Sequence, residues 1–153
     1  MTEVPLETLF GVLAILILLS AFFSSSETAL MSINRYRLRH RAKEGHKGAL
    51  LAEKLLRRPD RVIGLILLGN NFVNILASSL VTVIALQVGG EGAVAAGAGI
   101  LTLVILIFAE VAPKTFAALR PETLAYPAAF IYVPLLKLTY PIVWLVNLMA
   151  NGL

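Results

Sequence analysis

The chain has 153 residues, 58% hydrophobic and only 14% charged, far from the roughly 25% charged residues of a soluble domain. Long apolar runs without strand-like alternation point to membrane helices rather than a β-barrel, and the absence of cysteine excludes disulfides, thiolate metal sites and Cys nucleophiles. The net charge of +4 is concentrated: ten of the 13 Lys and Arg residues lie between Arg35 and Arg61. Nucleic acid is one partner for such a cluster, but its place between two apolar runs fits the positive-inside rule better, so no nucleic-acid partner is expected.

In chain order, the acidic start Met1-Thr2-Glu3-Val4-Pro5-Leu6-Glu7 lacks the basic region of a signal peptide, so the first run is expected to stay in the mature protein. That run covers about residues 6–31. It is pure hydrocarbon over Leu9–Leu19 and then turns polar at Ser20 and Ser24-Ser25-Ser26-Glu27-Thr28. The basic loop, residues 34–61, reads as a cytoplasmic helical hairpin near anionic headgroups. Its helices are expected over Tyr36–Glu44 and Ala49–Arg58, with Gly45-His46-Lys47-Gly48 as the turn. His40 and His46 read as solvated. Run two, about 62–88, starts after Pro59-Asp60 and is interrupted by Asn70, Asn71, Asn74, Ser78, Ser79 and Thr82. Gly89-Gly90-Glu91-Gly92 forms an outside turn.

Run three, about 93–118, opens with small residues suited to close helix packing, within the chain or in a dimer. It ends on Phe108-Ala109-Glu110-Val111-Ala112-Pro113-Lys114, which carries a carboxylate where hydrocarbon is expected. Such an acid normally faces a partner, a cavity or an ion. Pro113 has no N–H, so in an α-helix the Ala109 carbonyl loses its donor and adds oxygen to that wall. The plain alternative is a helix end with Glu110 paired to Lys114. The last run, within residues 121–150, holds Pro127, Pro134 and Pro141 and the aromatics Tyr126, Tyr132, Tyr140 and Trp144. It reads as a kinked juxtamembrane belt, broken by its prolines into pieces too short to span. A proline-kinked fourth span is the alternative.

The fold expected is therefore an all-α membrane protein forming a single transmembrane domain over residues 1–153. It has three transmembrane helices, a cytoplasmic helical hairpin and a kinked belt helix. The charges place the basic loop and the belt, with the C-terminus, in the cytoplasm and the N-terminus outside, in a multi-pass inner or plasma membrane protein.

Measured from the cytoplasmic boundary at about 1.5 Å per residue, Ser24, Asn70 and Glu110 all lie roughly 14–15 Å deep, and Ser20 and Asn74 roughly 20–21 Å. Ser20 and Ser24 share a face, as do Asn70, Asn74 and Ser78, and Glu27 and Thr28 continue the serine face. Polar glue between helices would account for serines, but an added carboxylate fits a cation site better. Without thiolate or histidine at this depth, the candidates are Na⁺, Mg²⁺, Ca²⁺ and protons, and composition does not choose among them.

Three segments, Phe22–Ser32, Leu67–Asn74 and Phe108–Lys114, resemble in order and spacing the membrane domain of the CorC/cyclin-M (CNNM) family, and the likeness covers nearly the whole chain. The resemblance implies Mg²⁺ efflux driven by Na⁺ entry, a homodimer, and three spans with a juxtamembrane belt. It places ion-binding positions on Ser20, Ser24, Gly69 (through its carbonyl), Asn70, Asn74 and Glu110, with Pro113 matching the family proline. Glu27 is less secure, since some branches place an amide there. Family members continue into ATP-binding CBS domains, so a chain stopping at Leu153 resembles a trimmed membrane domain. The function expected is a Na⁺-coupled Mg²⁺ exporter; the alternative is a membrane-anchored Mg²⁺ sensor that transports nothing. No enzyme is expected: no His-Glu-x-x-His or Gly-x-Ser-x-Gly motif is present.

Overall fold

A computed structural model describes residues 5–152, with only the backbone of Val143, Val146 and Asn147. The described chain is almost entirely helical. Its elements are α1 (Leu6–Ser32), α2 (Arg35–Lys43), α3 (Lys47–Leu56), α4 (Pro59–Gly89), α5 (Glu91–Val104), a π-helical segment (Ile105–Val111), α6 (Ala112–Leu119) and α7 (Pro121–Asn151). Three helical stretches are long and apolar enough to cross a membrane: Leu6–Ser32, Pro59–Gly89 and Glu91–Leu119. They coincide with the three apolar runs, and many of their large side chains, such as Leu18, Ile75 and Leu103, are exposed. In water that exposure would be a liability; in a bilayer it is the lipid-facing surface.

The membrane domain divides into two compact units, and the division falls inside each of the three long helices. The first comprises the chain up to Ser24 and Gly69–Pro113. Its core is Leu16 of α1, Val73 and Ala77 of α4 and Leu101 of α5, with Leu13, Ile17, Phe23, Leu80, Val81 and Ile105 packed around them. Val73, Ala77 and Leu80 follow the three-and-four spacing that puts one stripe of a helix inward. Gly97 allows α5 to come close to α4: a Cβ there would sit 3.0 Å from Val81 Cγ1. Gly97 thus has a packing role inside the chain, while Ala95, Ala96, Ala98 and Gly99 of the same run are exposed.

The second unit comprises Ser25–Leu68 and the chain from Lys114 onward. The hairpin forms as α2 and α3, with Gly45 at φ +88° in the left-handed region that glycine tolerates. Both helices carry side-chain caps. Asn34 accepts from the Arg37 N–H, and His46 Nδ1 accepts from the Ala49 N–H at 3.0 Å. His46 stays exposed, as read, and also caps α3, its ring 4.9 Å from that of Tyr126. His40 stays exposed and meets Glu44 at 2.9 Å. α3 packs against both α2 and α7. Gly48 permits the close approach to α7, since a Cβ there would lie 2.8 Å from Tyr126 Cβ. Glu122 in the first turn of α7 pairs with Arg37 at 3.2 Å, joining α2 to α7 through their charges.

α7 differs from expectation. Its prolines do not divide it into pieces; it is one helical element of 31 residues. Pro127, Pro134 and Pro141 are seven apart and all exposed, so the missing donors line up on one outer stripe. The buried face, Ala125, Tyr126, Ala128, Ala129 and Tyr132, keeps an uninterrupted packing surface.

Candidate cation site

The expected site residues all fall in the first unit. Ser20 and Ser24 stand one turn apart on α1, each only 1% exposed. Asn70 and Asn74 stand one turn apart on α4, both half-buried. The two helices bring three of these residues into direct contact: Ser20 Oγ donates toward Asn70 Oδ1 at 2.9 Å and Asn74 Oδ1 at 2.8 Å. A hydroxyl has one proton. It cannot serve two carbonyl oxygens fully, so the knot holds more acceptors than donors. Turning one amide would supply a second donor and turn one oxygen away.

Ser24 sharpens the imbalance. Its Oγ is buried and has no hydrogen-bond partner among the described residues. A buried polar atom left unsatisfied costs about 1–3 kcal/mol, so it calls for an explanation such as an ion. An electron-rich oxygen set of hydroxyls and amide carbonyls, with no nitrogen or sulfur donor among the expected residues, is chemistry for a hard cation. Among the described residues no cluster of three His, Asp or Glu side chains competes for that role.

Gly69 precedes Asn70 and lies against the ring of Phe23; a Cβ there would fall 2.6 Å from Phe23 Cζ. The family resemblance implies a carbonyl role for Gly69 and none for Phe23. The structure makes Phe23 the reason a larger residue does not fit at position 69.

Glu110 lies half-buried in the π-helical segment, between buried Ala109 and exposed Val111. The α-helical register assumed for it is corrected. The Ala112 N–H reaches back five residues, to the Ile107 carbonyl, before Pro113 removes the next donor. The widened turn therefore starts upstream of the proline and alters the direction in which Glu110 projects. Such π segments recur at functional sites. Among the described residues Glu110 has no ion-pair or hydrogen-bond partner, so the expected alternative of a Glu110–Lys114 pair does not form. Glu110 also makes no hydrogen bond to the Ser20–Asn70–Asn74 knot.

Residues 11–153 match the family described as the cyclin M transmembrane N-terminal domain. This chain belongs to that family. Among relatives of the cyclin M domain, the UPF0053 inner membrane protein YfjD of Escherichia coli (strain K12) is 55% identical over 135 residues, covering 88% of this chain and 32% of YfjD. A UPF0053 protein of Haemophilus influenzae is 48% identical over 153 residues, 100% of this chain and 36% of that protein. A chloroplastic DUF21 domain-containing protein of Arabidopsis thaliana is 33% identical over 144 residues, covering 93% of this chain and 22% of its own length. The chain thus spans about a third of the length of its bacterial relatives.

Ser26 and Tyr132 were not singled out as a pair by sequence. They share a buried hydrogen bond in the second unit. No spacing rule links positions 106 apart; the only sign was a polar serine run and a tyrosine-rich last helix.

Proposed function

We propose that this cyclin M domain binds Mg²⁺ as its transported substrate and exports it, driven by Na⁺ entry. Ser20, Ser24, Asn70, Asn74, the Gly69 carbonyl and Glu110 replace part of the ion's water. The observation that carries the reading is the buried Ser24 hydroxyl, without a hydrogen-bond partner among the described residues and one turn from an acceptor-rich knot of three oxygens. The oxygen-only donor set suits a hard cation such as Mg²⁺. Glu110, on a π segment and without a competing partner among the described residues, supplies the negative charge on rearrangement of the helices, in keeping with alternating access around an intramembrane site.

In the same reading the protein sits in the cell membrane with its basic hairpin inside, works as a homodimer and transports rather than catalyses. YfjD's name as an inner membrane protein supports the location. Mg²⁺ titration of purified protein tests the ligands. Glu110→Ala is expected to weaken binding by about a hundredfold or more, the scale of removing one buried charge partner; unchanged affinity refutes the assignment. Mg²⁺ flux from sealed vesicles under a Na⁺ gradient tests transport, and binding without flux under any gradient turns the reading to a sensor.

A further inference from the structure

The second unit contains a cavity of about 430 Å³ between the C-terminal end of the hairpin and α7. It falls in the range of about 300–1,000 Å³ typical of small-molecule pockets. Four cations line it: Lys54, Arg58, Arg61 and Lys137. Leu55, Val133 and Leu136 supply an apolar wall. Asp60 pairs with Arg58 at 3.5 Å, so one cation is partly neutralised. Lys54, Arg61 and Lys137 have no acidic partner among the described residues. The Arg61 guanidinium is held 4.9 Å over the Tyr140 ring, which fixes its position without spending its charge. A smaller cavity of about 200 Å³ shares Arg58, Arg61 and Tyr140 and continues to Trp144 and Leu148.

We propose that this cavity binds an anionic phospholipid of the surrounding leaflet, its phosphate among Lys54, Arg61 and Lys137 and an acyl chain along Leu55, Val133 and Leu136. Charge complementarity selects the occupant. Unpaired cations beside hydrocarbon match a molecule that is itself anionic at one end and apolar at the other, and basic pockets at the cytoplasmic membrane face bind such headgroups. Arg61 opens the first turns of a membrane-crossing helix, and Tyr140 and Trp144 are the side chains favoured at headgroup depth. A soluble phosphate would satisfy the cations and leave the apolar wall unused. The inference rests on the membrane assignment and is independent of the cation site.

The test is titration of the detergent-purified chain with phosphatidylglycerol and, separately, phosphatidylcholine, read by native mass spectrometry in the absence of Mg²⁺. Phosphatidylglycerol is expected to bind preferentially. Arg61→Gln with Lys137→Gln should weaken it roughly thirtyfold, about fivefold per cation removed. Lys43→Gln with Lys47→Gln, equal in charge and away from the cavity, should leave binding unchanged. Leu136→Trp, which fills the wall and keeps every cation, should also abolish the preference; it decides the matter if the double variant fails to fold. Equal binding of both lipids, equal loss in the two double variants, or displacement by inorganic phosphate at matched concentration would overturn the proposal.

Discussion

Ser24 and Ser26 are two residues apart on α1 and equally hidden, each 1% exposed, yet they are treated differently. Ser26, in the second unit, is met by the Tyr132 hydroxyl of α7. Ser24, in the first, is met by nothing among the described residues. A buried hydroxyl without a partner is a standing cost, and the fold demonstrably can supply one. The second unit uses several polar groups for cohesion, a serine–phenol bond, a histidine cap and an Arg37–Glu122 pair, although the Tyr126 hydroxyl there is also buried with no hydrogen-bond partner among the described residues. The first unit gathers oxygens and leaves them short of protons. On the proposed function, stability and ion binding would be divided along the chain.

That contrast can be broken by exchanging the roles. The largest expected effect is on ion affinity. Ser24→Ala should weaken Mg²⁺ binding by at least about tenfold while leaving the metal-free melting temperature unchanged or raised, since an unsatisfied hydroxyl is removed. Titration paired with thermal unfolding checks both halves, and lower metal-free stability would make Ser24 a structural residue. Next, Tyr132→Phe should do the reverse. It removes one hydrogen bond of the Ser26 hydroxyl at a net cost of about 0.5–1.5 kcal/mol, seen as a lower melting temperature with Mg²⁺ affinity retained. The smallest effect is His46→Ala, which removes the α3 cap and should cost about 0.5–2 kcal/mol. Faster amide exchange confined to the first turn of α3 would report it.

Much of the fold could be read from the sequence because membranes enforce simple rules. Three runs of apolar residues gave three long helices, and the Gly45 turn separated α2 from α3. The serine and asparagine spacing put Ser20, Asn70 and Asn74 within reach of one another, which hydrogen bonds then join. Local spacing does not carry what depends on partners far along the chain. Exposed His46 carries no local sign of its role as the α3 cap beside Tyr126. Glu110 was read in an α-helical register because Pro113 marks only one lost donor, and nothing in Phe108–Pro113 announces a widened turn that begins earlier. The three prolines pointed to breakage because each was weighed singly; their sevenfold spacing, taken together, permits continuity.

That spacing has a mechanical consequence. Seven residues make nearly two full turns, so Pro127, Pro134 and Pro141 weaken the same side of α7 and leave the Thr123, Phe130 and Lys137 carbonyls without their usual donors. Bends at the three positions share a direction and add instead of cancelling. A rod built this way yields along one plane and resists others, so its exposed proline stripe can flex while the opposite flank against α3 stays packed.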